Sequence, residues 1–332
     1  MAILINFSMV VLMTTFTASQ LISSRNKQGA GISQDTILKL CHLGFENDFK
    51  PILDEILIER VVGTSKHEFV KMFIAEEMKS VGWSVELDSF NARTPLGVHN
   101  MTNVIATLNP LADRYLVVAC HYDSKKMDFY FEGATDSAVP CAMMIYMAKT
   151  LQQRLEMFKT TPLSLMMMFF DGEEAFVEWN ESDSLYGSRH LASKMENLRF
   201  VHNGRQLNQL HRIEFLMLLD LLGTKNPTFY NYFIETVDLY RSMLTAEKVL
   251  NETNCFTDYT KNYFLPMSAN VRIDDDHIPF YEKGIEILHI IPNPFPKEWH
   301  KTTDNRNALH MPTILNLMKI FQVFLVAYLE TQ

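Results

Sequence analysis

The stretch LSLMMMFFDGEE, residues 163–174, joins an uninterrupted apolar run to an acidic turn. Leu163–Phe170 contains no charged residue, which is typical of a strand that is buried on both faces of a sheet. Gly172 permits a tight turn after the strand, and two carboxylates follow it at Glu173 and Glu174. We therefore expect a central strand that delivers acidic side chains to one edge of a sheet.

Three further apolar runs end in polar residues in the same way. They are Tyr115–Ala119 before His121 and Asp123, Phe215–Leu219 before Asp220, and Ile285–Ile291 before a proline-rich loop. Helical patterns separate these runs and cover Ser65–Val81, Ser137–Leu155, Ser184–Met195 and Thr236–Leu250. Strands that alternate with helices predict an α/β fold, with a twisted central sheet that is mixed but mostly parallel and has helices on both faces. Ligands in such folds bind beyond the carboxyl ends of the strands.

The composition fits one globular domain. The chain has 332 residues, of which 47% are hydrophobic and 21% are charged, and no break in composition divides it. We expect an N-terminal targeting segment at residues 1–25 and a single domain at residues 26–332. The net charge is −9 and no basic run is interleaved with aromatic residues, which excludes nucleic acid as a partner. Polar residues at three-residue spacing interrupt the apolar stretch Pro312–Leu329, which favours a packed amphipathic helix over a stable membrane span.

The N-terminal segment predicts a secreted protein. Residues 3–18 form an apolar run that SQLISSRNK follows, and this pattern resembles a secretory signal peptide. A retained anchor, or an address that holds the protein in the Golgi or another organelle, is the alternative. Three sequons, at Asn100, Asn180 and Asn251, are candidates for N-glycosylation on the secretory route.

Four cysteines, Cys41, Cys120, Cys141 and Cys255, are too few for a disulfide scaffold. They allow three full pairings, between which the sequence does not choose. The sequence has no Cys-x-x-Cys motif, which removes the usual thiolate zinc sites.

A metal site is suggested by residues that are far apart in the sequence. Taken singly, Glu173 and Glu174 could be an acidic helix start, Asp136 a helix N-cap and His300 a structural histidine. Taken together, Asp136, Glu174 and His300 offer two oxygens and one nitrogen from three loops, the donor set of an open catalytic zinc site. Because neighbouring side chains point in different directions, one of Glu173 and Glu174 could bind a metal while the other faces the reacting group as a base.

Several segments together resemble the animal glutaminyl-peptide cyclotransferases, whose wider relatives are zinc aminopeptidases of the same fold. The resemblance covers about residues 35–330 and rests on ACHYDSK (119–125), GATDSAVPCAMM (133–144), FFDGEEAF (169–176), DSLYGSRHLA (183–192), LLDLLG (218–223), DDHIPF (275–280) and IIPNPFPKEWH (290–300).

The resemblance implies a role for each matched residue. It implies one zinc ion held by Asp136, Glu174 and His300. It makes Glu173 the proton-transfer residue and places Asp220 and Asp275 in a network of hydrogen bonds. It makes Trp179, Phe295 and Trp299 the aromatic walls of the substrate pocket, and it pairs Cys120 with Cys141 in a disulfide. Cys41 and Cys255 are left as a second disulfide or as buried thiols. One residue departs from the family pattern: Asp274 stands where the family carries glutamine.

The activity implied by the resemblance is a zinc-assisted acyl transfer within the substrate. An N-terminal glutaminyl residue, and more slowly a glutamyl residue, of a peptide or protein would close to pyroglutamyl with release of ammonia. We expect the protein to be a monomer. A secreted zinc aminopeptidase is the alternative, in which His121 and Asp123 could help to hold a second ion. A catalytically dead ectodomain that binds peptide N-termini is a further alternative, which the intact set of ligands and base disfavours.

Overall fold

Strands and helices alternate along most of the computed structural model, which describes residues 33–43 and 46–331. The predicted targeting segment, residues 1–25, lies outside the described residues. The described strands are β1 Ser84–Thr94, β2 Gly97–Thr107, β3 Arg114–His121, β4 Leu163–Phe170, β5 Arg199–His202, β6 Arg205–Asn208, β7 Ile213–Leu219, β8 Phe229–Asn231, β9 Phe264–Ser268 and β10 Ile287–Ile290. The described helices are α1 Gln34–Cys41, α2 Glu46–Ile56, α3 Ser65–Ser80, α4 Val139–Thr150, α5 Gln152–Leu155, α6 Tyr186–Asn197, α7 Val237–Glu252, α8 Ile278–Tyr281 and α9 Met311–Glu330.

The central sheet has six strands in the order β1-β2-β4-β3-β7-β10. Strands β4, β3, β7 and β10 are parallel, whereas β2 pairs antiparallel with both β1 and β4. The predicted mixed, mostly parallel sheet is therefore confirmed. The hairpin of β1 and β2 was not predicted, because β1 (SVELDSFNART) is largely polar and lies at the edge of the sheet.

Side chains of β4 alternate between two cores, as expected for a strand covered on both faces. Leu165, Met167 and Phe169 pack with α1 to α4, α7 and α9, whereas Met168 and Phe170 pack with α6 and α8. The parallel strands β3, β4, β7 and β10 thus end together at one edge of the sheet, where the loops that follow them meet.

The helix predicted over Ser137–Leu155 differs from the structure. An irregular turn, Ala134–Ala138, precedes α4, and Asp136 and Ser137 have non-helical backbone angles there. The backbone breaks again at Leu151, so that α5 is a separate short helix. Asp136 is therefore not a helix cap, because the residue that caps α4 is Ala138.

Helix α9 confirms the packed helix predicted over Pro312–Leu329. Within the described residues it is the helix that is long and apolar enough to cross a membrane, and 72% of its apolar window is buried in the protein. Its polar residues do not form a solvated face. Asn316 donates to the Thr257 carbonyl at 2.8 Å, and Gln322 donates to the Thr150 hydroxyl at 2.7 Å.

Candidate active site

The three predicted metal ligands lie together at the carboxyl edge of the sheet. Asp136 comes from the turn after β3, Glu174 from the turn after β4 and His300 from the loop after β10. Nε2 of His300 is 3.2 Å from Oε1 of Glu174 and 3.3 Å from Oδ2 of Asp136. One donor atom from each of the three lies within 4.8 Å of the other two. Three loops from distant parts of the chain therefore build one compact donor set.

The donor set fits a divalent cation. Oδ2 of Asp136 is buried and accepts no hydrogen bond, although a buried carboxylate oxygen is costly without a partner. Burial opposes ionisation of Asp136, but the neighbouring imidazoles of His121 and His300 hold its pKa well below the usual value. Burial also lowers the pKa of His300, but Asp136 and Glu174 outweigh it and raise that pKa to about 9. Two carboxylates and one imidazole are ligands that zinc accepts in an open, catalytic geometry.

The donor set opens into a cleft of about 550 Å³ that is lined by the three predicted metal ligands, the predicted base Glu173 and the predicted substrate-pocket residues. The predicted residues that line it are Asp136, Glu173, Glu174, Trp179, Asp220, Asp275, Phe295, Trp299 and His300. Asp274, Lys125 and Glu178 complete much of its polar wall. The cleft is large enough for the first residue or two of a peptide and is strongly acidic.

Comparison with known proteins identifies the family of this chain. Residues 103–325 match the model of peptidase family M28. The chain is 44% identical to the glutaminyl-peptide cyclotransferase of Boiga irregularis over 86% of this chain and 81% of that protein. It is 42% identical to that of Drosophila melanogaster over 90% of this chain and 85% of that protein. The chain belongs to the glutaminyl-peptide cyclotransferase family. The crystal structure of Macrostomum lignano glutaminyl cyclase superposes with a TM-score of 0.86 at 32% identity, covering 92% of this chain and 95% of that chain.

Neighbouring carboxyls of this cyclotransferase-family site have different surroundings. Glu174 contacts His300 and accepts a hydrogen bond from Nζ of Lys125 at 2.9 Å. Glu173 lines the cleft, and burial raises its pKa well above the usual value, opposed by His121 and reinforced by the charge of Glu174. The pKa of Asp220 is raised to about 6 by burial and by the charge of Asp275.

Hydrogen bonds orient the two aspartates in the wall of the cleft. The hydroxyl of Ser137 donates to Oδ1 of Asp220. Asp275 pairs through Oδ2 with Nε2 of His289 at 2.7 Å, and its Oδ1 accepts from the backbone of Asp276 at 2.6 Å. His289 was not predicted, because it lies within the apolar strand β10 and resembles any core histidine.

Aromatic side chains line the mouth of the cleft in this cyclotransferase-family fold. Phe295 and Trp299 contact edge to face with ring centroids 5.1 Å apart, and Trp299 stacks on His300 at 4.2 Å. Trp179 and Trp299 are 38% and 41% exposed, which places both at the rim rather than in the core. Asp274 shares this rim, where Nε of Arg272 donates to its carboxylate at 2.6 Å.

Asp123, which the sequence analysis weighed as a ligand of a second metal, has another role. Its Oδ1 accepts from the backbone N–H of Glu173 at 3.1 Å, and its Oδ2 accepts from that of Glu174 at 3.2 Å. Both oxygens therefore hold the turn that carries the base candidate and a metal ligand. His121 pairs with Oδ1 of Asp136 at 3.1 Å and lies 3.6 Å from Oδ1 of Asp220.

Arg60 also positions the site, and the sequence analysis missed it. This arginine is fully buried, and its Nε donates to the carbonyl of Tyr122 at 2.7 Å. Its Nη2 donates to the carbonyls of Gly133 at 3.1 Å and Asp136 at 3.3 Å. Arg60 thus joins the end of β3 to the turn that carries Asp136. No local pattern distinguishes it from a surface arginine.

The expected disulfide between Cys120 and Cys141 is not present in the structure. Both are free, buried cysteines, with sulfur atoms 2.7 Å apart. The two elements approach each other as expected, and the Cys141 sulfur also lies 3.0 Å from the carbonyl oxygen of His121. The disulfide joins Cys41 to Cys255, the pair that the sequence left open.

Proposed function

We propose that this protein converts N-terminal glutaminyl residues of peptides and proteins to pyroglutamyl residues and releases ammonia. The observation that carries the proposal is the pair of adjacent carboxyls with separate surroundings. Glu174 points to the donor set with His300, whereas Glu173 lines the cleft beside it. Membership of the cyclotransferase family supports the same reaction.

We assign Asp136, Glu174 and His300 as the ligands of one zinc ion. When bound, zinc would polarise the side-chain amide of the substrate and stabilise negative charge on its oxygen. The orphaned oxygen of Asp136 and the mixed carboxylate and imidazole donors support this assignment. Lys125 holds the other oxygen of Glu174 and so keeps that carboxylate oriented.

Glu173 moves the proton in the reaction that we propose. The α-amine of the substrate attacks the carbonyl carbon (Cδ) of its own side-chain carboxamide, and Glu173 accepts a proton from that amine. The new carbon–nitrogen bond closes the ring, the bond to the amide nitrogen breaks, and Glu173 returns the proton to the leaving ammonia. A raised pKa suits a group that must accept and then donate one proton near neutral pH.

Other residues of the cleft hold the substrate. Trp179, Phe295 and Trp299 are rigid walls that favour a bent side chain and exclude water. Asp220 and Asp275 are oriented by their own hydrogen bonds and would fix the polar groups of the first residue. An N-terminal glutamate would react more slowly, because a carboxylate is a poor electrophile.

Mass spectrometry of a peptide that begins with glutamine tests the proposal. We expect the mass to fall by one ammonia, whereas removal of the whole first residue would show that the protein is an aminopeptidase. Glu173→Gln should lower turnover about 10²–10⁴-fold and leave bound zinc unchanged. Glu178→Gln, at another acidic residue of the cleft, is the matched control. If Glu173→Gln keeps turnover within about tenfold of the wild type, Glu173 is not the proton carrier.

We further infer a secreted monomer whose catalytic domain spans residues 26–332. The Cys41–Cys255 disulfide supports a secretory route, since such bonds persist in oxidising compartments. Asn100, Asn180 and Asn251 are all exposed, so each sequon is accessible to glycosylation. N-terminal sequencing of the secreted protein, its mass after glycosidase treatment and its mass by light scattering would test these inferences.

A further inference from the structure

A second cavity, of about 480 Å³, lies beside the active-site cleft and shares a wall with it. Asp275 lines the cleft, His289 lines the second cavity, and their side chains are 2.7 Å apart. The hydroxyl of Tyr232, in the second cavity, donates to the carbonyl of Ile291, in the cleft wall, at 3.1 Å. Residues in direct contact with one another therefore line the two spaces.

A single stretch of backbone separates the two spaces at the protein surface. Arg272 and Ile273 line the second cavity, whereas the next residue, Asp274, lines the cleft. Nε of Arg272 donates to Asp274 at 2.6 Å, and both side chains are exposed. Consecutive Cα atoms are about 3.8 Å apart, so this ridge is about one backbone wide. A peptide that leaves the cleft over Asp274 meets the second cavity directly.

Large apolar side chains in the wall of the second cavity are exposed to solvent. Ile234, Val271 and Tyr281 all line it and are all exposed. Phe233 packs beside them, with its ring centroid 4.9 Å from that of Tyr281. Several exposed apolar side chains around one concave surface are typical of a binding site rather than of ordinary protein surface.

Continuity with the cleft indicates which ligand this surface receives. The cleft holds the first residue or two of a peptide, so the third and later residues of a longer substrate must lie outside it. An extended peptide advances about 3.3 Å per residue, which carries its third to fifth residues across a ridge about one backbone wide. Those residues then pass over the exposed apolar wall of the second cavity.

We propose that the second cavity is a substrate subsite for an aromatic or large aliphatic side chain at the third, fourth or fifth position of the peptide. The proposal rests on the proposed function, because the N-terminal glutamine of the same peptide occupies the cleft. The second cavity is remote from the reacting atoms, so it binds the ground state and the transition state equally. Such binding lowers KM and leaves kcat nearly unchanged.

Peptides that differ at one position test the subsite. The parent peptide is glutamine followed by four alanines, and three derivatives carry phenylalanine at the third, fourth or fifth position, all with amidated C-termini. We expect at least one derivative to have a KM about five- to tenfold lower than that of the parent, with kcat within about twofold. Glutaminyl-alanine amide is too short to reach the second cavity and reports the cyclisation itself.

Replacements in the apolar wall locate the contact. Ile234→Asp and Val271→Asp should each bring the ratio of kcat/KM between the preferred derivative and the parent peptide to about one, because a carboxylate in the wall disfavours burial of a phenyl ring. Val201→Asp is the matched control. Val201 is 72% exposed, as Ile234 is at 76%, and is not among the residues that line either space. It should keep the wild-type ratio.

The outcomes separate the two proposals. Cyclisation of all the peptides with the same KM would overturn the subsite and leave the proposed function intact. A preference for phenylalanine that survives both wall replacements would place the contact elsewhere and also overturn the subsite. No cyclisation of any peptide, including glutaminyl-alanine amide, would overturn the proposed function and the subsite with it.

Photo-crosslinking replaces the variants if they do not fold. A glutamine peptide with benzoylphenylalanine at the preferred position is irradiated with the wild-type protein, and the crosslinked residues are mapped by mass spectrometry. We expect crosslinks within residues 232–235 or 269–282, the segments that line the second cavity. Crosslinks that lie only outside these segments would overturn the subsite.

Discussion

Replacement of Arg60 by lysine should weaken both the fold and the zinc site. The guanidinium donates to five backbone carbonyls, those of Ile58, Tyr122, Glu132, Gly133 and Asp136. Lysine has three donors, so at least two carbonyls would lose their partner inside the protein. Hydrogen bonds to a charged group contribute about 1.5–3 kcal/mol each, so Arg60→Lys should cost about 3–6 kcal/mol of unfolding free energy.

Zinc affinity should fall as well, because Arg60 holds the carbonyl of the ligand Asp136 itself. Loss of a residue that orients a metal ligand typically weakens metal binding about 10–100-fold. Urea denaturation of the zinc-free protein gives the first quantity, and competition with a chromophoric chelator gives the second. Turnover at saturating zinc should recover most of its wild-type value, since Arg60 is not among the residues that line the cleft.

Arg212→Lys is the control for the general effect of losing a guanidinium. Arg212 donates to the hydroxyl of Tyr115 at 2.7 Å and to the carbonyl of Pro110 at 3.2 Å, away from the ligand loops. It should lower stability without changing zinc affinity. If Arg60→Lys loses less than about 1 kcal/mol, or binds zinc as tightly as Arg212→Lys does, the positioning role of Arg60 is refuted.

Three further outcomes follow from buried contacts outside the cleft or behind it. The double replacement Cys41→Ser with Cys255→Ser opens a loop that the disulfide closes across a sequence separation of 214. The free energy of unfolding should fall by up to about 5 kcal/mol, measured as a lower midpoint of guanidinium denaturation, and kcat should not change. An unchanged midpoint would show that the bond adds no stability. Burial lowers the pKa of His67, but Asp171, 2.7 Å away, outweighs burial and raises that pKa. The free energy of unfolding that wild type gains over His67→Gln should therefore be largest below about pH 6.5 and shrink as pH rises through the higher folded-state pKa. Urea midpoints whose difference is constant from acid to alkaline pH would contradict the pairing. Asp123→Asn places an amide N–H₂ group against a backbone N–H of the turn that carries Glu173 and Glu174, so one of the two hydrogen bonds that hold this turn is lost. The kcat for a glutamine peptide should therefore fall about tenfold or more. An unaltered kcat would argue against the positioning role of Asp123.

Much of the fold was predictable because its strongest signals are local. The apolar runs of β3, β4, β7 and β10 are continuous in sequence, since both faces of each strand are buried. The edge strand β1 was missed because a strand with one solvated face and many polar residues looks like a loop.

The sequence by itself determined which donor types follow the buried strands. Parallel strands that end together bring their following residues together, so the association of Asp136, Glu174 and His300 could be inferred before any distance was known. The family motifs then distinguished Glu173 from Glu174, which the residues alone did not.

Only the tertiary structure decided which neighbours each polar group actually meets. Asp123 is a plausible ligand in the sequence, but its oxygens bind backbone N–H groups. Cys41 bonds to Cys255 across 214 residues, while Cys120 and Cys141 touch without a bond. Arg60 and His289 have no local signature either. Hydrogen bonds, disulfides and metal sites depend on distances of a few ångströms between distant segments, and only the packing of the whole chain sets those distances.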